Sequence, residues 1–457
     1  MDNREYIHLL VDKSKAAQKE YEKFNQQQID AVVREIAKVI YDNAVPLAKM
    51  AVEETRMGVF EDKIKKNQGK SKIIWNNLKT KKSVGIIGYN HNTGVAEVAK
   101  PMGVVGAVTP CTNPIVTPMC NAMFALKGGN SIIIAPHPRA RKCAVYVVEL
   151  FNQAIRKFNV PEGLIQVIEA PTVEISNELM KAVNVVVATG GMGMVKAAYS
   201  SGRPAYGVGA GNVQCIIDRD VDLHEAIPKI IAGRIFDNGI ICSGEQTIIT
   251  HKDDYARVIE ELKSAGNDAY CIEDGIEKDK IRNALFVGGV MNKDLVGQSV
   301  GKVAEIAGLN IPKGTKVIIV KADGYGGADL LSKEKMCPVI SIYTYETFKQ
   351  AIDIANANLE VEGKGHSISI HSDNSENIEY AAGIVPVSRV LVNQICSTMN
   401  GGSFYNGFAP TTTLGCGSWG NNSISENLDY RHLINITRIG YYLKNAVVPT
   451  DEEIWGR

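Results

Sequence analysis

No sign of charge dominates this chain: Lys plus Arg and Asp plus Glu each number 50 in its 457 residues. A nucleic-acid surface needs a basic excess on some domain, so no nucleic-acid partner is expected. The one local crowd of like charge is Lys63, Lys65, Lys66, Lys70, Lys72, Lys79, Lys81 and Lys82, and it reads as the solvated face of a helix. No run reaches the roughly 18 apolar residues of a membrane span. The start Met1-Asp2-Asn3-Arg4-Glu5 has no apolar signal core, which leaves no membrane partner and the cytoplasm as the expected compartment. Paired cysteines are missing too. There are 9, an odd number, scattered without a CxxC pair. That argues against a disulfide framework and a structural zinc site, and no metal is expected.

What is present is an ordinary globular composition, 45% hydrophobic and 22% charged, in a chain too long for one core. Residues 1–57 read as two amphipathic helices, followed by a helix over 63–78. Apolar runs at 84–87 and 95–99 around Asn90-His91-Asn92-Thr93-Gly94 predict a β-hairpin. From Gly103 strands and helices alternate: strands near 104–108, 131–135, 164–168 and 185–188, helices at 114–127, 139–158 and 173–182. The alternation resumes at Val213 and predicts a second parallel sheet. The tail from Asn400 is rich in Gly, Asn, Ser and Thr. Its segment 433–442 is strand-like and is expected to pair with the hairpin or with a partner's sheet edge. The expected fold is α/β, two parallel-sheet domains plus a β-hairpin oligomerisation element. A dinucleotide-binding domain is expected over 1–82 and 101–212, and a catalytic domain over 213–399. An oligomerisation hairpin and C-terminal segment are expected over 83–100 and 400–457.

Chemistry concentrates at few places. Cys242 follows Asn238-Gly239 and precedes Ser243-Gly244. It is either a small buried hydrophobe or an exposed thiol whose pKa nearby backbone N–H groups lower. Asn113, in Thr109-Pro110-Cys111-Thr112-Asn113-Pro114, is a helix N-cap with Pro at N1, an oxyanion donor, or both. Thr189-Gly190-Gly191 ends a strand and opens a helix. It is a plain βα turn or a pyrophosphate cradle, and it is not the GxGxxG fingerprint. His366 is a structural histidine or a general base, and Glu334 a surface carboxylate or an acceptor of two ribose hydroxyls.

Together these residues resemble the aldehyde dehydrogenase superfamily over nearly the whole chain. Asn113 matches its oxyanion asparagine, Thr189-Gly190 its cofactor turn, Cys242 its nucleophile, and Glu334 with Pro338 its nicotinamide-ribose element, Met336 and Cys337 replacing Phe and Gly. In hydrolytic members the run Gly207-Val208-Gly209-Ala210-Gly211-Asn212 opens with a glutamate that activates water. Here it opens with Gly207. A thioester without that base should persist until a thiol removes it, which is the pattern of the CoA-acylating branch. Pro136-His137-Pro138-Arg139-Ala140, Gly365-His366 and Leu414-Gly415-Cys416-Gly417-Ser418-Trp419-Gly420 are similar to that branch. Ala198–Pro204 and Lys333–Val339 bring the chain nearest to CoA-dependent succinate-semialdehyde dehydrogenases.

The resemblance implies a reversible reaction of an aldehyde, coenzyme A and NAD or NADP through a Cys242 thioester. Acetaldehyde or butyraldehyde are alternatives to succinate semialdehyde. It implies Cys242, Asn113 and His366 as catalytic residues, with His366 assisting the CoA thiol. The cofactor would meet Thr109, Pro110, His137, Pro138, Arg139, Thr189, Gly190, Gly191, Gly209 and Glu334. The family's ribose lysine is Ala135 here and its acidic neighbour Pro138, which permits the 2′-phosphate of NADP, and Arg139 favours it. The partners expected are the aldehyde, coenzyme A and further copies of the chain, as a homodimer or homotetramer. Two rival readings remain: a hydrolytic enzyme using Glu245 as base, and a non-catalytic assembly subunit. Ser243, Thr112 and Ser397 are candidates to meet a substrate carboxylate.

Overall fold

A computed structural model describes residues 2–273 and 275–456. The chain opens with helices α1 (Asn3–Tyr21), α2 (Gln26–Asp42), α3 (Ala44–Thr55) and α4 (Phe60–Leu78). Three helices, not two, therefore precede residue 57. Pro46 cannot donate to the residue 42 carbonyl and its ring would clash there, so α2 stops at Asp42. Asn43 then folds its side-chain amide back onto the Val39 carbonyl at 2.8 Å.

The hairpin follows as β1 (Gly85–Asn90) and β2 (Val95–Pro101), with antiparallel register Gly85 to Ala99. Next come β3 (Val104–Thr109), α5 (Val116–Lys127), β4 (Ser131–Pro136), α6 (Arg141–Ile155), β5 (Ile165–Val167), α7 (Val173–Ala182), β6 (Val185–Thr189), α8 (Met192–Tyr199) and β7 (Ala205–Val208). These five strands form one parallel sheet in the order β5-β4-β3-β6-β7. Alternation along β3 divides its side chains between two layers. Val105 and Ala107 pack with α2, α5 and α6, while Val104 and Val108 pack with Ile7 and Val11 of α1 and with α7.

The second sheet begins with β8 (Val213–Ile217), α9 (Leu223–Ile235), β9 (Glu245–His251), α10 (Tyr255–Lys263) and β10 (Ala269–Ile272). A stretch with no sequence signal follows: α11 (Gly275–Leu285), the short ribbon β11 (Phe286–Val287) and β12 (Val290–Met291), and α12 (Val300–Ala307). The chain continues through β13 (Val317–Lys321), β14 (Val339–Tyr345), α13 (Phe348–Val361), β15 (Ile368–His371), α14 (Ser375–Ile384) and β16 (Val390–Val392). The order is β10-β13-β14-β9-β8-β15-β16, all parallel.

Strand β17 (Ile434–Gly440) makes the first of the two pairings expected for the tail. It joins β2 of its own chain, Ile434 opposite Pro101 and Gly440 opposite Val95, and completes a three-stranded sheet. Among the described residues no helix is long and apolar enough to cross a membrane. The segment that leaves the carboxyl end of β3 and the segment that enters β9 line one cavity. Carboxyl ends are where open α/β sheets bind ligands; the second sheet contributes its opposite edge.

Candidate active site

Cys242 stands on a loop whose shape is set before it. After α9, Asp237, Asn238 and Gly239 are all left-handed, with φ of 53°, 54° and 70°. For non-glycine residues this costs about 1–2 kcal/mol each. Buried contacts offset the cost. The Asp237 carboxylate accepts from Val59 N at 2.8 Å, from Lys63 Nζ at 3.1 Å and from Lys66 Nζ. The Asn238 amide donates to the carbonyls of Gly297 (3.0 Å) and Gly58 (3.3 Å). Burial would raise the Asp237 pKa, but Lys66 and Lys63 outweigh it and hold it below the ordinary value. The loop then turns at Gly244, whose N–H donates to the Ile241 carbonyl at 2.9 Å. It runs so close to Gly211 that a Cβ there would stand 1.9 Å from the Cys242 carbonyl oxygen.

Lys63, Lys66 and Lys70 overturn the reading of a solvated lysine face. They lie three and four residues apart on α4, on the side that faces the site. Lys63 is 3% exposed, and Lys66 and Lys70 line the cavity that holds Cys242. Lys65, Lys72, Lys79, Lys81 and Lys82 are exposed as expected. Desolvation, with some help from Lys66, lowers the Lys63 pKa to about 8.

Asn113 is not an N-cap, because α5 begins only at Val116. Its side-chain oxygen instead accepts from Lys66 Nζ at 2.8 Å. An ammonium offers only donors, so the oxygen must face it and the amide NH2 must face away. Asn113 and Cys242 line the same cavity, of about 330 Å³, with Ile73, Val116, Phe236, Met399 and Phe404 supplying apolar wall. No Asp or Glu is among its lining residues.

The expected low thiol pKa is overturned as well. Burial pushes the Cys242 thiol up to about 12, Glu334 and Cys416 add to it, and Arg389 opposes. Glu334 is itself buried, 8% exposed, not a surface carboxylate. Desolvation and then Glu362 raise its pKa to about 8, so it is mostly protonated at neutral pH and repels a thiolate less. Its Oε1 has no partner. Two buried arginines that sequence reading missed organise this corner. Arg234 Nε donates to Cys337 O at 2.9 Å and its NH2 to Gly239 O at 2.9 Å, tying the Glu334 segment to the Cys242 loop. Arg389 donates to His366 O at 2.8 Å and to Asn427 Oδ1 at 3.3 Å. Neither announced itself, since an arginine inside an apolar helix or before a strand looks like any surface residue.

His366 is fully buried, outside that cavity wall, with Nδ1 3.0 Å from Ser367 Oγ and Nε2 unpartnered. Burial and then Arg389 lower its pKa to about 3. It is neutral at pH 7 but a weak base. Glu245, the rival water-activating base, is also fully buried. Its Oε1 accepts from Cys396 N at 2.7 Å and its carboxyl packs on Gly233 of α9, away from the cavity. Gly207 does not face the thiol either, since a Cβ there would meet Val195 and Tyr199.

Apart from Glu334, which precedes β14, the residues expected to hold the cofactor lie along the carboxyl edge of the first sheet. Thr109 ends β3 and Pro110 follows. His137 precedes a short helical turn at Pro138, and its Nδ1 accepts from Arg139 N at 3.1 Å. The Arg139 guanidinium donates to the Thr55 carbonyl at 3.2 Å, which spends part of its donor capacity. Thr189 Oγ1 lies 3.1 Å from Thr413 Oγ1. Gly190 and Gly191 lead into α8 with open space where a Cβ would stand, whereas at Gly209 a Cβ would lie 2.1 Å from Met192 Sδ. A helix N-terminus at a strand's carboxyl end suits a pyrophosphate, and the free Glu334 Oε1 suits a ribose hydroxyl. These residues fit a nicotinamide dinucleotide.

A cysteine and an asparagine amide on one cavity beside a parallel sheet are groups that thiol-dependent aldehyde chemistry can use. Residues 1–308 match the model of the aldehyde dehydrogenase family, and the chain belongs to that family. It is 54% identical over 456 residues to a succinate-semialdehyde dehydrogenase (acetylating) of Clostridium kluyveri, covering 100% of both chains. It is 40% identical over 453 residues to a sulfoacetaldehyde dehydrogenase of Acholeplasma, covering 98% of this chain and 93% of that one. An acetylating aldehyde dehydrogenase from Geobacillus thermoglucosidasius has the same fold, with a TM-score of 0.93, 36% identity and 98% of each chain covered. The chain is a CoA-acylating aldehyde dehydrogenase that works with NAD(P) and coenzyme A.

Proposed function

We propose that the chain interconverts succinate semialdehyde and succinyl-CoA through a thioester on Cys242. One observation carries this reading: Cys242 and the Asn113 amide share a cavity whose wall, among the described residues, holds no carboxylate to activate water. A thioester formed there is protected from hydrolysis and open to a second thiol. The Cys242 sulfur attacks the aldehyde carbon. The oxyanion takes hydrogen bonds from Asn113 Nδ2 and the Cys242 peptide N–H, and Lys66 keeps Asn113 turned to give them. Thr189, Gly190, Gly191 and Glu334 would hold NAD(P), which would supply the hydride acceptor. Coenzyme A then displaces Cys242. Its thiol meets no strong base here, since His366 keeps a free Nε2 but burial has weakened it, so this step should quicken with rising pH. The relatives named above for succinate semialdehyde and sulfoacetaldehyde support a substrate with an anionic tail.

On this reading residues 1–82 and 101–212 hold the dinucleotide and 213–399 carry the nucleophile. Segments 83–100 and 400–457 meet a second copy, as a homodimer or homotetramer. Support for the last comes from apolar groups left exposed beside that sheet: Ile86 and Tyr89 on β1, and Val447, Val448 and Trp455 beyond β17. Pro138, in place of an acidic residue, leaves room for NADP as well as NAD. A panel of succinyl-, acetyl- and butyryl-CoA, each with NADH and NADPH, tests the assignment. Succinyl-CoA should be reduced with the highest kcat/KM. Free acid formed from aldehyde at full rate without coenzyme A would refute it.

A further inference from the structure

The α4 lysines outnumber their carboxylates. Lys63 and Lys66 share Asp237, and Lys65 pairs with Asp62 at 3.1 Å. Lys70 has no carboxylate partner among the described residues. Its Nζ donates to two backbone carbonyls, Gly401 at 2.8 Å and Thr411 at 3.3 Å, and an ammonium has three donors. The ammonium is enclosed by protein, while the side chain keeps surface on the Cys242 cavity. A second group points the same way. Ser397, 5% exposed, lines that cavity, and its hydroxyl has no hydrogen-bond partner among the described residues. An enclosed cation without an anion is costly, and a free donor beside the same space adds to the cost.

We propose that Lys70, assisted by the Ser397 hydroxyl, is the specificity-determining residue of this site and binds the far carboxylate of a four-carbon oxo-acid while its aldehyde carbon lies at Cys242. The proposal rests on the oxo-acid reading above and adds which side chains enforce it. Lys66 is not equivalent, because its charge is already paired with the buried Asp237 carboxylate. The α4 position explains how one helix serves both ends of the substrate. Lys66 orients the oxyanion donor at one end, and Lys70, one turn on, takes the tail at the other.

The test compares succinate semialdehyde with butyraldehyde, which matches its chain length without the charge. In Lys70→Met, kcat/KM for the acid should fall roughly a hundredfold more than for butyraldehyde, mainly through KM. Lys70→Arg should restore part of the preference. Ser397→Ala should weaken the preference by a smaller factor. If Lys70→Met keeps the wild-type preference, or loses both substrates in equal proportion, the proposal is overturned. A wild-type enzyme that does not turn over succinate semialdehyde at all would instead overturn the function assigned above. A second measurement needs no variant. Burial brings Lys70 to about 8, with the Cys120 thiol, the Lys66 ammonium and the Cys242 thiol as the titratable groups around it. Cys242 acts on both aldehydes and cancels in their ratio. The acid-to-butyraldehyde ratio should therefore fall as pH rises from 7 to 9, and a ratio flat over that range also overturns the proposal.

Discussion

Asp237→Asn isolates the buried charge cluster that shapes the nucleophile loop. Asparagine tolerates the left-handed backbone at φ 53°, and its side-chain oxygen can still accept from Val59 N. What it lacks is the charge that Lys63 and Lys66 share. Stranding buried partners of an ion pair costs about 3–5 kcal/mol. The loss has a ceiling, because a stranded lysine sheds its proton instead. From a reference pKa near 10.4 that costs about 1.4 kcal/mol per pH unit, close to 5 kcal/mol per lysine at pH 7. The same argument gives the pH sense. A base whose folded pKa is lowered destabilises the fold fully at low pH, and the penalty fades as pH rises toward the unfolded pKa. Lys63 already lies near 8 with Asp237 present, and without it must lie lower. The deficit of Asp237→Asn should therefore be about 3–5 kcal/mol at pH 7 and contract by pH 9. Urea unfolding of the wild type and the variant at both pH values measures it. A deficit under about 1 kcal/mol at pH 7, or one that grows with pH, would refute the assignment of this cluster as a buried ion-pair network.

Other outcomes follow from the same geometry. With the Cys242 thiol raised to about 12, iodoacetamide inactivation of the free enzyme should rise about tenfold per pH unit between pH 7 and 9, and a plateau in that range would show a thiol of ordinary or lowered pKa. Cys242→Ala should lose roughly 10⁴-fold or more in kcat, read by NAD(P)H absorbance, and any substantial hydride transfer left would deny the nucleophile. Gly211→Ala should lower kcat roughly a hundredfold and destabilise by about 1–3 kcal/mol, since its Cβ would press on the Cys242 carbonyl from 1.9 Å; normal turnover would mean the loop yields freely.

Strand and helix identity along 104–199 and the second sheet's strands from Val213 were readable because short, continuous, β-branched apolar runs, buried on both faces, alternate with longer segments of helical period. The stretch from 269 to 307 was not, since its strands are two to four residues long and partly exposed. Pro46 was visible, and its break between α2 and α3 follows from the missing N–H alone.

The sequence by itself determined the residue types and their order along the chain: a cysteine after an Asn-Gly pair, an asparagine after β3, a glycine-rich entry to α8 and no glutamate at 207. Local chemistry is enough for that, because backbone preference and side-chain inventory are properties of a few neighbouring residues. Only the tertiary structure decided how those groups are charged and what they face. Lys63, Lys66 and Lys70 turned from solvent to site because α4 packs its lysine face against the Cys242 loop. Asn113 became a free amide donor because Lys66 took its oxygen, and the Cys242 thiol rose because burial and Glu334 outweighed nearby N–H groups. Desolvation and partnership depend on atoms hundreds of residues apart, and no window of sequence contains them.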